Sequence, residues 1–174
     1  MGKNCFFEAS VRVPLIFHMP GKIKPGHHSH LVESVDVLPT LFELAGLPEP
    51  YENQGRSLVP LISDSDRNYI PKTAVFSENV IPEVITSGSL DFQFQKRVGI
   101  KEVRHPDAKM IRTARWKFNY YPDGYAELYH IASDPHEATN LANSEDHQVV
   151  VDTMKDRLFH SMVPADHADQ IAPK

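Results

Sequence analysis

Proline sets the scale of what this sequence can build. Fourteen of its 174 residues are proline, and most fall in short clusters: MPGKIKPG, GLPEP, YYPDG and SDPHE. Proline fixes φ and removes a backbone donor, so each cluster interrupts a helix or a ladder and favours a turn. The pattern predicts many brief elements joined by tight connections. The length is enough for one domain with a hydrophobic core. With 41% hydrophobic and 24% charged residues, the chain reads as globular rather than disordered. A net charge of −5 with no basic stripe gives no electrostatic footprint for nucleic acid. No apolar run approaches the roughly 18 residues that span a bilayer. The opening MGKNCFFEAS carries charge but lacks the apolar core of a signal peptide. A single cysteine excludes an intrachain disulfide framework and leaves the compartment open.

Along the chain, RVPLIFHM (12–19), closed by Pro20 and Gly21, is expected to form a short buried strand. LVESVDVLPTLFELAG contains the clearest helix, capped at Asp36, tolerant of Pro39 in its first turn and stopped by Gly46. Leu38, Leu41, Phe42 and Ala45 share one face of it, which is expected to be core. Strand followed by helix suggests an α/β layer. Residues 47–72 read as a connection with an apolar patch at SLVPLI, and KTAVFSE as a second strand. Residues 79–109 lack a period and read as a long irregular insertion. KMIRTARWKFNYY alternates as a strand or hairpin, PDG turns it, and YAELYHI is the return strand. SDPHEATNLA is a capped turn. A terminal helix from Glu145 to Met162 carries Val151, Met154, Leu158 and Met162 in one stripe, and the last dozen residues are expected to fray.

Three separated stretches, GKNCFFEASVRVPLIFHMPG, VESVDVLPTLFELAGLPEPYENQGRSLVPLI and MIRTARWKFNYYPDGYAELYHIASDPHEATNLA, together resemble the C-terminal portion of the sulfatase family. The shared signatures are a lysine-containing segment entering a strand, a G-x-S-L-x-P-L connection, and a basic R-W-K-F strand. The strand leads to E-L-Y and then to D-P-x-E-x-x-N-L. The resemblance implies an α/β fold: part of an alkaline-phosphatase-like sandwich, a central sheet edge plus helix, with a small C-terminal antiparallel sheet and terminal helix. On this reading residues 1–72 belong to the catalytic core. Residues 73–174 hold the remaining core strand, the insertion and a hairpin-plus-helix subdomain. The family hydrolyses sulfate monoesters with a formylglycine made from a C/S-x-P-S-R motif and a calcium ion held by carboxylates and an amide. Neither that motif nor the family's Asp-Asp and Asp-His-Gly metal motifs occurs in these 174 residues, and Cys5 is followed by FFE. The expectation is a chain that starts where the catalytic half would have ended, inactive alone, with no metal ligands or cofactor of its own. Many relatives are exported, though no signal is legible here.

By resemblance, Lys3 matches the lysine that contacts the sulfate group, where an ammonium neutralises charge building on the leaving oxygen. Glu78, His105 and Arg112 are candidates for a substrate-facing rim beside the insertion. Glu8 and Arg12 flank the entry to the first strand and are expected to pair with each other. Cys5, beside two phenylalanines, reads as a small packed residue. His27, His28 and His30 invite a zinc reading, but a glycine-flanked histidine loop is more often solvated. Trp116, Tyr120, Tyr121, Tyr125 and Tyr129 could stack sugars, but cross-strand packing under the terminal helix is the better account. The implied partner is a sulfate ester, with sulfated sugar preferred, and a missing N-terminal half is also implied. The alternatives are a non-catalytic complementation module and a phosphonate or phosphate monoesterase of the same fold.

Overall fold

The computed structural model describes residues 5–49, 53–63, 68–79 and 107–162. Lys3, His105, most of the expected insertion and the last dozen residues lie outside them. The described helices are α1 (Glu8–Val11), α2 (Val37–Ala45), α3 (Val59–Ile62) and α4 (Gln148–Met162). The strands are β1 (Ala74–Asn79), β2 (Ala108–Thr113), β3 (Trp116–Tyr120) and β4 (Ala126–His130). Three of those helices are short, as the proline spacing requires.

The chain divides into two compact units. One comprises residues 1–12 with 76–174, and the other comprises residues 13–75. The first twelve residues thus join a unit built mainly from the far end of the chain.

In the first unit the sheet runs in the order β1-β2-β3-β4. β2 and β3 are antiparallel, pairing Ile111 with Phe118 and Arg112 with Lys117. The turn between them is closed by Thr113, whose hydroxyl accepts from the Trp116 N–H at 3.0 Å. β4 returns antiparallel to β3, with Lys117 opposite Tyr129, Phe118 opposite Leu128 and Asn119 opposite Glu127. The PDG turn forms as expected: Gly124 takes φ +85°, a conformation that favours glycine, and the Asp123 carboxylate accepts from the Tyr125 N–H at 2.9 Å.

Strand alternation gives this sheet two unlike faces. Ile111, Phe118 and Leu128, each no more than 1% exposed, lie under α4, which contributes Met154 and Leu158. Burying each such side chain stabilises the fold by about 1.5–3 kcal/mol. Tyr120 meets Phe159 edge-to-face at 5.3 Å on the same side. Tyr120 thus packs under the terminal helix as expected, whereas Tyr121, Tyr125 and Tyr129 belong to the opposite face. The opposite face carries Ala108, Met110 and Tyr121, packed with Phe6 and Val11, and beside them the buried Lys117, Asn119 and Glu127.

The second unit departs from two sequence expectations. α2 ends at Gly46 in the left-handed conformation, φ +69°, with the Leu47 N–H returning to the Phe42 carbonyl. Its buried side, however, is Pro39 and Thr40, not Leu38 and Leu41, which are 48% and 49% exposed. The cause is a polar network around Asp36, which turns the helix so that its polar side meets the loop before α3. Residues 12–19, expected as a buried strand, pair with no strand among the described residues, and Val13 and Ile16 are 59% and 84% exposed. The sequence supplies an apolar strand here, but the described residues supply no ladder for it.

Candidate functional site

The polar face of the sheet is organised by one lysine. Lys117 sits on the central strand β3 and is fully buried. Its ammonium donates to the Phe6 carbonyl at 2.6 Å and to Glu137 Oε1 at 2.7 Å, and pairs with Glu8 Oε1 at 2.8 Å. An ammonium has three donors, and all three are used. Glu137 completes a second link, because its Oε2 accepts from the Glu8 N–H at 2.6 Å. Arg112, on neighbouring β2, donates from Nε to Glu8 Oε1 at 3.0 Å. Two cations and two carboxylates thus balance in a largely buried site, and such pairing is the condition under which buried charge is tolerated.

Three of the letters of D-P-x-E-x-x-N-L, Asp134, Glu137 and Asn140, have a visible side-chain task. Asp134 accepts from the Ala138 and Thr139 N–H groups at 3.0 and 2.9 Å, and those backbone bonds lower its carboxyl below the ordinary value. The tightened turn holds Glu137 at φ +56°, aimed at Lys117. Asn140 Oδ1 accepts from the Leu128 and Ala142 N–H groups, and its amide donates to the Ala126 carbonyl. Leu141 N–H then bonds the Leu128 carbonyl at 2.8 Å, so the turn runs on along β4. The capped turn expected for SDPHEATNLA is present.

Protonation follows from the geometry. Burial would raise the Glu8 carboxyl, but hydrogen bonds from Lys117 and Arg112 outweigh it and hold the group below its ordinary 4.5. Burial, reinforced by the charge of Glu127, raises the Tyr129 phenol far above its ordinary 10.0, so it stays protonated. Asn119 donates to Glu127 at 2.9 Å, and its own carbonyl oxygen is buried without a partner among the described residues.

The second unit has a counterpart centred on an anion. Asp36 is fully buried. Its carboxylate accepts from Lys72 Nζ at 2.7 Å, the Arg56 N–H at 2.8 Å and the Glu33 N–H at 2.9 Å. Thr40 donates to the Asp36 carbonyl and accepts from the Leu58 N–H. Gly55 lies so close that a Cβ there would stand 2.0 Å from the Val35 carbonyl oxygen. The glycine of G-x-S-L-x-P-L is required by that approach. Burial would lower Lys72, but hydrogen bonds to Asp36 and Glu33 raise it above its ordinary 10.5.

Of the residues singled out from sequence, Glu78 is half-exposed and pairs with Lys109 at 3.2 Å across β1 and β2. Arg112 is engaged with Glu8 and the Thr113 carbonyl. Glu8 was expected to pair with Arg12. It pairs instead with Arg112 and Lys117, and Arg12 is exposed. The physical reason is that α1 turns the Glu8 side chain onto the sheet. His30 meets the Tyr69 ring at 5.2 Å, and His27, His28 and His30 are exposed. Among the described residues no three His, Cys, Asp or Glu side chains gather as a metal site. The three carboxylates of the two buried clusters are not free to hold a calcium ion. Asp36, Glu8 and Glu137 are already neutralised by lysines. Sequence reasoning missed Lys117, Glu137 and Lys72, and read Asp36 only as the cap of α2, a helix to which its side chain makes no capping hydrogen bond. The available signal was the charged residue inside an otherwise alternating strand, W-K-F.

The family model for N-sulphoglucosamine sulphohydrolase, C-terminal, matches residues 1–79. Human arylsulfatase K is 35% identical over 144 residues, covering 80% of this chain and 24% of that protein. An endo-4-O-sulfatase of Bacteroides thetaiotaomicron is 29% identical over 157 residues, covering 85% of this chain and 29% of that protein. The chain therefore spans about a quarter of the length of the curated relatives it matches. Among solved structures, the phosphonate monoester hydrolase SpPMH from Silicibacter pomeroyi superposes with a TM-score of 0.61 at 25% identity. It covers 83% of this chain and 27% of that one. A 2-O GAG sulfatase gives a TM-score of 0.55 at 25% identity, covering 73% and 24%. The α/β, alkaline-phosphatase-like fold expected from sequence is the fold these structures carry. The chain belongs to the sulfatase family and corresponds to the C-terminal portion of its members.

Proposed function

We propose that this chain forms the C-terminal part of a sulfuric ester hydrolase that cleaves sulfate monoesters, with sulfated sugars as the substrate class. The observation that carries the proposal is the closure of Phe6–Glu8, R-W-K-F and D-P-x-E on one another through Lys117, Glu8 and Glu137. Motif segments up to about 130 residues apart in sequence are joined by direct bonds, as a shared architecture requires. Relatives whose names specify sulfated uronic acids and a structure holding D-glucosamine-2-N,6-O-disulfate support the substrate class. In this reading residues 1–72 are the part of the catalytic core that this chain supplies. Lys3 is its contact to the sulfate group, stabilising the charge that develops on the leaving oxygen. Glu78, His105 and Arg112 border the substrate, Arg112 through its hold on Glu8.

The 174 residues contain no C/S-x-P-S-R sequence to supply a nucleophile. The purified chain is therefore expected to release no 4-nitrophenol from 4-nitrophenyl sulfate, with or without calcium. Calcium-dependent turnover would contradict this. Sequencing the DNA upstream of the Met1 codon tests the parent: an in-frame or neighbouring C/S-x-P-S-R motif is expected, and its absence defeats the proposal. The exposed apolar side of α2 favours a second reading, a module that complements a separate chain carrying the nucleophile. The fit to a phosphonate monoester hydrolase favours a third, in which the assembled enzyme prefers phosphonate esters to sulfates.

A further inference from the structure

We infer that the polar face of the sheet holds an internal water molecule, bound by the side-chain carbonyl of Asn119. Asn119 is 1% exposed on β3, with Met110 opposite it on β2 and Glu127 opposite it on β4. Strand alternation puts Lys117 and Tyr121 beside it on the same face. Phe6, itself buried, packs with Met110 and Tyr121 over this part of the face. Bulk solvent therefore does not reach the amide.

Glu127 fixes which way the amide points. Asn119 Nδ2 donates to Glu127 Oε2 at 2.9 Å, and the reversed amide would press a carbonyl oxygen against a carboxylate oxygen. Oδ1 is thereby turned away from Glu127, and it has no partner among the described residues. The donors that flank Asn119 along its own strand are engaged elsewhere. Lys117 directs its ammonium to the Phe6 carbonyl, Glu8 and Glu137, and the Tyr121 hydroxyl donates to Glu127 Oε2 at 3.1 Å. A buried amide oxygen without a donor is destabilising, and native interiors meet such a deficit with ordered water. Water is the smallest group that brings a proton to Oδ1, and it keeps a second proton for another acceptor. Phe6 is the cover that retains it.

The experiment uses the full 174-residue chain, labelled with nitrogen-15 and carbon-13. Cross-peaks between the Asn119 side-chain amide protons and water are expected, with opposite signs in NOESY and ROESY spectra. Opposite signs mark a long-lived internal water rather than proton exchange. The cross-peaks are expected to survive in Tyr121→Phe, which removes a neighbouring hydroxyl whose exchanging proton could imitate them. Oxygen-17 relaxation dispersion counts long-lived waters independently. Its amplitude is expected to fall by one water's share in Asn119→Leu or, should that variant fail to fold, in Phe6→Ala, which opens the cover. Wild-type spectra without water cross-peaks overturn the inference, as do cross-peaks lost in Tyr121→Phe or an unchanged dispersion amplitude. A scalar coupling across a hydrogen bond from a protein N–H to the Asn119 side-chain carbonyl also overturns it, because a protein donor then occupies the place assigned to water.

Discussion

The two units solve the same problem with opposite charges. In the sheet unit a cation, Lys117, lies at the centre and gathers carboxylates and a carbonyl. In the other unit an anion, Asp36, lies at the centre and gathers a lysine and two backbone N–H groups. The difference is one of reach. Lys117 bonds Phe6, 111 residues away, whereas the Asp36 carboxylate reaches partners 3, 20 and 36 residues away. The first is a tether between segments far apart in sequence, and the second is a staple that folds a helix onto its own following loop. The charges suit the tasks. A carboxylate accepts from several N–H groups of a turn, and an ammonium on a long stem reaches a carbonyl on another segment.

Single substitutions can break this comparison. Lys117→Met leaves Glu8 and Glu137 facing each other without their shared cation. The expected cost is about 3–5 kcal/mol, read from urea denaturation followed by tryptophan fluorescence. A cost below about 1 kcal/mol would show that the tether is not needed for the sheet unit. Asp36→Ala leaves Lys72 with Glu33 as its remaining carboxylate and strands two N–H groups, at about 2–4 kcal/mol, less than Lys117→Met because the cation keeps a partner. If it proves the costlier change, the ranking of tether over staple is wrong. Gly55→Ala presses a Cβ against the Val35 carbonyl, at about 1–3 kcal/mol. Leu38→Gln, on the exposed side of α2, is expected to change stability by less than about 0.5 kcal/mol, and a larger loss would mean that this face is covered.

Acid separates the two regions without mutation. The Glu8 carboxyl is held below its ordinary 4.5, so the unfolded chain takes up its proton at higher pH than the folded one. The stabilisation is complete above about pH 4.5 and is lost as pH falls through the lower folded value. Lys72 is raised, so its contribution is complete below 10.5 and is lost only as pH rises beyond that. The melting temperature is therefore expected to show an acid slope that Glu8→Gln flattens and an alkaline slope that Lys72→Met flattens.

What was legible in the sequence was local. Gly46, the PDG turn and the Asp134 cap act within a few residues, and each formed where the residue types placed it. The terminal helix was legible because Met154 and Leu158 have a partner surface in this chain. The α2 face was misjudged because periodicity reports which residues are apolar, not whether a partner surface is present. The charge clusters were hidden for a related reason. Glu8 looked toward Arg12, four residues away, but α1 directs it to Arg112, 104 residues away. A buried lysine reads like any surface lysine until its distant acceptors are known.

Amide hydrogen exchange at Glu8 tests the central claim most directly, because that N–H is bonded to Glu137 and lies in a short helix that would otherwise fray. The account predicts that the Glu8 amide exchanges as slowly as the sheet amides in the wild-type chain and at loop rates in Lys117→Met/Glu137→Leu. Exchange of Glu8 at loop rates in the wild type would contradict it.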